Sequence, residues 1–272
     1  SIVKPIEIEY LNEWINLYNK DCKKCFNKKL LKITKNMGNF YRSSNEPCRN
    51  CYEITNKGSF KNTILIVKFN YADCCKNKSF FNNLYKNHFK KIIFYSDDTN
   101  GYKDPDINYI NTHKGFFTHK IFYHFYEKYK HLLNDIDGLF YTMDDNIINT
   151  NILHNFTTDK IIFYHNKVDN ILNYKGWQWD IYKDNINVLI NNNLNIKEFS
   201  GWFSDFFYLP KKYLTKNTFE EFAKYYVFLE IAIPSVINSI EKDKLQYQLF
   251  LDKVLWDKDR EKFLDKIYLK NV

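Results

Sequence analysis

The sequence predicts an α/β protein, with a mostly parallel central sheet and helices on both faces, preceded by a helical extension that carries cysteines. Three observations predict it. Short apolar runs rich in β-branched residues, led by Thr63-Ile-Leu-Ile-Val-Lys-Phe69, have the composition of strands buried on both faces. Amphipathic stretches with helical periodicity separate these runs. Acidic clusters, Ser96-Asp97-Asp98 and Met143-Asp144-Asp145-Asn146, stand where strands end, which is where open α/β sheets bind their ligands.

Two regions follow from a pass along the chain, residues 1–62 and residues 63–272. Over residues 6–33, Ile8, Leu11, Ile15, Tyr18 and Cys22 return at helical spacing. Cys22 and Cys25 lie near the end of that helix, and an irregular stretch leads to Cys48 and Cys51. Lys57-Gly58-Ser59 marks a turn and the boundary. Thereafter strands are expected at 63–69, 92–95, 108–110, 138–142 and 160–164, with helices at 80–89 and 114–133. Trp177 and Trp179 belong to an aromatic loop, and the second half of 199–210 reads as a strand. A helix is expected to open at Thr218, with Glu221 completing a capping box, and to run to Ile233. Pro234 then suits the first turn of a further helix, and residues 245–269 read as a final helix pair.

The net charge of +8, from 40 basic and 32 acidic residues, favours anionic partners such as nucleotides, phosphate or acidic glycans. The densest basic patches, Lys23-Lys24 and Lys28-Lys29, are short, so no specific nucleic-acid partner is expected. No stretch reaches the roughly eighteen apolar residues of a membrane span. The opening Ser1-Ile2-Val3-Lys4-Pro5 reads as cut from something longer, and localisation does not follow from the termini.

The pair Asp144-Asp145 carries the chemical argument. Two adjacent carboxylates at a strand end repel one another and lose water, and a divalent cation compensates both effects. Mg²⁺ and Mn²⁺ are commonly held by one or two carboxylates plus substrate phosphates. Sugar transfer from a nucleotide diphosphate sugar needs such a site, because negative charge grows on the leaving diphosphate. A loop with two solvated acids, or a helix N-cap, is the plainer alternative.

Phe140-Tyr-Thr-Met-Asp-Asp-Asn-Ile-Ile148, following the opening apolar strand, resembles the aspartate motif of GT-A glycosyltransferases. Further pieces resemble an exostosin-like group of eukaryotic and viral transferases. These are Phe69-Asn70-Tyr71, Asn111-Thr-His-Lys-Gly-Phe-Phe117, Ser204-Asp-Phe-Phe-Tyr-Leu-Pro210 and Phe228-Leu-Glu-Ile-Ala-Ile-Pro234, in the expected order. The resemblance implies a GT-A-type three-layer α/β/α domain and a metal-dependent transferase that moves a sugar, UDP-linked, to a hydroxyl of a protein or glycan. It places Asp145 on Mn²⁺ or Mg²⁺ and Asp144 nearer the ribose, with Phe69, Asn70, Tyr71, Lys114 and Trp202 around the donor. The motif is Met-Asp-Asp, which departs from Asp-x-Asp. Localisation stays open between a secretory lumen and a viral factory or cytoplasm.

Glu230 interrupts an otherwise apolar helical segment, on the face of Tyr226, Ala223 and Phe222. A lone carboxylate there is paired, protonated or aimed into a polar pocket. A general base acting on the acceptor hydroxyl is one reading, and a paired structural acid is the other. Asp205 can orient a sugar, with Trp202 stacking on a pyranose face; a turn and a core tryptophan are the alternatives. His119, His124 and His131 do not have the spacing of a metal pair and are expected at surface or partly packed positions. Asp97-Asp98-Thr99 reads as rim or turn, and Cys74-Cys75 as structural burial near the base or ribose.

Cys22, Cys25, Cys48 and Cys51 suit either a structural zinc site or disulfides. This leaves a competing reading: a non-catalytic, zinc-stapled basic module that binds nucleic acid or glycan. Such a module needs neither a strand-terminal Asp-Asp nor Glu230.

Overall fold

The computed structural model describes residues 60–70, 72–97, 103–113, 115–144, 146, 148, 150, 153, 156–168, 171, 199–224, 227–241 and 245–250. The N-terminal helix, the four extension cysteines, Tyr71, Lys114, Asp145, Trp177 and Trp179 lie outside the described residues.

Seven strands form one mixed, mostly parallel sheet. They are β1 (Thr63–Phe69), β2 (Lys91–Ser96), β3 (Ile107–Tyr109), β4 (Gly138–Met143), β5 (Ile161–Val168), β6 (Gly201–Pro210) and β7 (Tyr247–Phe250), in the order β3-β2-β1-β4-β6-β5-β7. β1 pairs in parallel with β2 and β4, β2 with β3, and β5 with β7, while β6 runs antiparallel to both β4 and β5. The helices described are α1 (Lys78–Tyr85), α2 (Lys120–Tyr129), α3 (Lys216–Lys224) and α4 (Leu229–Ile240).

β1 is buried along its whole length, as its composition requires. Its side chains alternate between the two faces. Ile64 and Ile66 join a core with Phe122, Phe125, Phe219 and Ile233, so α2, α3 and α4 cover that face. Leu65, Val67 and Phe69 join Phe80, Phe81 and Tyr85 of α1 on the other. The result is an α/β fold with both sheet faces covered.

Several elements differ from their sequence expectation, each for a local reason. α2 starts at Lys120, not Lys114, because His113 (φ 50) and Gly115 (φ 94) adopt left-handed backbone that no α-helix accepts. The expected helix through Glu230 is interrupted: α3 ends at Lys224 and α4 starts at Leu229. Glu230 therefore sits in the first turn of α4, which undoes its placement on a face shared with Phe222, Ala223 and Tyr226. Pro234 lies inside α4, one turn later than expected, where its ring faces the carbonyl of Glu230. The cap of α3 is Thr215, whose Oγ1 accepts the Thr218 N–H at 3.2 Å, while Glu221 pairs with Lys224. Tyr247–Phe250 is a strand, not the start of a helix pair, because it finds a parallel partner in β5.

Candidate functional site

β1 is the switch point of the sheet, since the chain moves from it toward β2 and β3 on one side and β4 lies on the other. Crevices at such points lie beyond the carboxyl ends of the strands. Asp144 stands there, directly after β4. Its N–H donates to the Lys68 carbonyl at 3.0 Å, and its Oδ1 accepts the Asn70 N–H at 3.2 Å. These two bonds stitch the ends of β1 and β4 together and hold the Asp144 carboxylate at the crevice.

Asn70 faces the same place. Its Nδ2 lies 3.3 Å from the Met143 sulfur, and its buried Oδ1 has no hydrogen-bond donor among the described residues. Gly115 presses against this oxygen: a Cβ there would come within 2.7 Å of it. Glycine is thus needed twice over, for its positive φ and for the close approach.

Beneath Asp144 lies a charge the sequence reading did not single out. The Lys68 side chain is 0% exposed, and its Nζ donates to Asp97 Oδ1 at 2.8 Å and to the Phe69 carbonyl at 2.7 Å. Burial pushes the Lys68 ammonium below its ordinary pKa, and the neighbouring Asp97 carboxylate is the main influence holding it up. Asp97 Oδ1 also accepts the Thr112 N–H at 3.1 Å and the Thr112 hydroxyl. Asp97 is thus more than rim or turn. A lysine inside an otherwise apolar strand was the available signal; its partner, far along the chain, was not.

The other sequence candidates fall into two groups. Asp205 reaches the crevice. Its neighbour Phe206 pairs with Thr142, and Asn146 Nδ2 donates to the Asp205 carbonyl at 3.3 Å, so Asp205 meets the loop that carries Asp144. Glu230 approaches through α4: the Leu229 N–H donates to the Phe116 carbonyl at 2.9 Å, one residue after Gly115. Glu230 itself is 2% exposed, in the first turn of α4.

Trp202 and Phe69 do not offer their rings to a ligand. Trp202 is fully buried and stacks on Phe163 with centroids 4.4 Å apart, so the core alternative replaces pyranose stacking. Phe69 is fully buried between Phe81 and Phe94, leaving its main chain as its contribution to the crevice. Cys74 is buried as expected, and burial pushes the half-buried Cys75 thiol above its usual pKa. His119 is buried, contrary to its expected place, whereas His124 lies 3.1 Å from the Tyr95 hydroxyl and His131 is exposed.

The oxygens at the crevice, a carboxylate and the Asn70 amide oxygen, are hard ligands of the kind that suit Mg²⁺ or Mn²⁺. Among the described residues no three of His, Cys, Asp and Glu converge as a closed metal centre does, and a cation shared with substrate phosphates does not need them to.

No family model, curated protein or solved structure significantly matches this chain.

Proposed function

We propose that the chain is a metal-dependent glycosyltransferase of GT-A type that moves a sugar from a UDP-linked donor to a hydroxyl of a protein or glycan. One observation carries the reading: Asp144 stands at the switch point of a parallel sheet, fixed to the end of β1 by the Asn70 N–H at 3.2 Å. A diphosphate nucleotide is the ligand class that such crevices and such carboxylates serve together.

In this reading Asp144 accepts hydrogen bonds from the ribose, and Asn70 Oδ1 faces the donor with an acceptor to fill. Asp145, together with Asp144, holds the cation. A bound Mn²⁺ or Mg²⁺ would supply neutralisation of the charge on the leaving diphosphate. Asp205, half-buried beside Asn146, orients a sugar hydroxyl. Glu230 is the base for the acceptor proton, and its burial means that the acceptor must reach the first turn of α4 to meet it.

Thermal unfolding with UDP and Mn²⁺ tests the reading. Ligand at a hundredfold over its Kd should stabilise the fold by about 2.7 kcal/mol. The stabilisation should vanish on chelation of the metal. No shift with UDP and Mn²⁺ at millimolar concentration would reject the proposal; a shift licenses a screen of nucleotide sugars for metal-dependent hydrolysis.

A further inference from the structure

We propose that Lys68 and Asp97 are positioning residues: a buried ion pair that holds the turn 112–117 and, through it, the first turn of α4 in register with Asp144. Their service to catalysis rests on the reading of this crevice as a nucleotide-sugar site; the clamp itself rests on the following contacts.

A buried ion pair is rarely the most stable way to fill a core, because apolar residues of similar volume often do as well or better. This pair also does not close on itself. One carboxylate oxygen, Asp97 Oδ1, receives the Lys68 ammonium and both donors of Thr112. Lys68 spends a second hydrogen on the Phe69 carbonyl at 2.7 Å, and its own carbonyl receives the Asp144 N–H at 3.0 Å. A single lysine therefore grips the aspartate loop by its main chain and the end of β2 by its side chain.

Thr112 passes the grip on. Its Oγ1 accepts the Gly115 N–H at 3.2 Å, and its carbonyl accepts the Phe117 N–H at 2.9 Å. The turn so closed contains His113 at φ 50 and Gly115 at φ 94, conformations that persist where surrounding contacts impose them. Its far side carries Phe116, whose carbonyl takes the Leu229 N–H at 2.9 Å and whose ring packs on Phe228 at 5.5 Å. Glu230 directly follows Leu229. The relay thus runs from the aspartate loop through Lys68, Asp97, Thr112 and Phe116 to the helix that bears Glu230.

Two double variants separate positioning from mere stability. Lys68→Met with Asp97→Leu removes the charges and the acceptor for Thr112. Lys68→Met with Asp97→Asn removes the charges but keeps an oxygen for Thr112. Neither leaves a buried charge alone, so both should fold with parent-like circular dichroism. Thr112→Val, which leaves the ion pair in place, is the third variant and stands in should the leucine variant fail to fold.

Amide hydrogen exchange at Thr112, Phe117 and Leu229 reads the clamp without any ligand. We expect exchange at least about tenfold faster in the leucine and valine variants and parent-like exchange in the asparagine variant. UDP affinity in the presence of Mn²⁺ should fall roughly tenfold to a hundredfold in the leucine and valine variants, the worth of a hydrogen bond to a charged group, and stay within a few-fold in the asparagine variant. Equal exchange in all the variants and the parent would overturn the clamp. Altered exchange with unchanged UDP affinity would overturn its service to the site. Altered exchange in a protein whose parent form ignores UDP and Mn²⁺ would leave the clamp standing and bring down the glycosyltransferase reading instead.

Discussion

The two ends of β4 are held in opposite ways. At its amino end Gly138 lies under the ring of Tyr208, whose hydroxyl sits 3.0 Å from the Asp137 carbonyl and 2.9 Å from the Thr158 carbonyl and can donate its one proton to either. Near by, the Thr63 hydroxyl donates to the Phe60 carbonyl at 2.5 Å, and the Asp137 N–H to the Asn62 carbonyl at 3.0 Å. The buried contacts there are neutral donors on main-chain oxygens. At the carboxyl end the same job falls to a buried ammonium, the carboxylates of Asp97 and Asp144, and an amide oxygen that has no donor among the described residues. The ammonium donors at the amino end, Lys90 on the Asp135 carbonyl and Lys211 on the Asn134 carbonyl, stay exposed, so no charge is buried there. Charge at the other end, and an acceptor with no donor among the described residues, are costs that folding alone does not call for, and in the proposed reading they serve the ligand.

That contrast can be broken or sharpened by substitution. The largest effect should come from Glu230→Gln, which in this account slows transfer about 10²–10⁴-fold while the melting temperature holds. A loss of melting temperature with activity per folded molecule retained would return Glu230 to a structural role, as its 2% exposure allows. Next is Gly138→Ala at the neutral end. Its Cβ would come within 2.2 Å of the Tyr208 hydroxyl, so the ring or strand must shift, at roughly 1–3 kcal/mol. Calorimetry should find that stability lost and UDP affinity per folded molecule unchanged. Tyr208→Phe at the same end removes the one hydrogen bond its hydroxyl donates, while the Asp137 carbonyl keeps the Lys211 N–H at 2.8 Å, and should cost about 0.5–1.5 kcal/mol, again without touching nucleotide binding. Weakened UDP binding in either variant would erase the division of labour between the two ends.

The smallest effect concerns a surface pair that belongs to neither end. The hydrogen bond from Lys78, and then the Asp106 N–H, hold the Asp104 carboxyl below the usual carboxylate range. A depressed carboxylate pKa stabilises the fold above the ordinary value, and the gain disappears as pH falls through the folded value. Both side chains keep contact with solvent, at 23% and 27% exposure, so acid titration of Lys78→Ala against the parent should reveal a difference within about 1 kcal/mol, confined to the acid limb.

The sequence made the parallel half of the sheet legible and left its couplings hidden. β1 occupies the expected residues 63–69, and β4 runs into Asp144 as read. Those signals are local: β-branched apolar runs cut off by polar residues. The left-handed turn before α2 was missed because Thr112-His113 gives no sign of it, and Gly115 alone does not fix where a helix begins. The interruption between α3 and α4 was missed because residues 225–229 are apolar or aromatic with no breaker among them, and what anchors the new helix is a carbonyl more than a hundred residues upstream, at Phe116. β7 was read as helix because four residues carry little periodicity, and a parallel partner decided the matter. At the site, Asp144 was read from its strand end, and Asp205, read as the start of a strand, lies inside β6 because the strand begins at Gly201; the contacts of Lys68 and Thr112 join distant segments and left no local signal. Trp202 went to the core because an aromatic residue near an acid looks alike in sequence whether it stacks on a sugar or on Phe163.

The central claim is that the aspartates at the end of β4 bind a nucleotide through a divalent cation. Isothermal titration of UDP in the presence of Mn²⁺, with the parent, Asp144→Asn and Asp145→Ala side by side, tests it most directly. The account predicts metal-dependent binding in the parent, none in Asp145→Ala, weakened binding in Asp144→Asn, and melting temperatures that stay together. Binding that is the same in all three, or that persists when the metal is chelated, would contradict it.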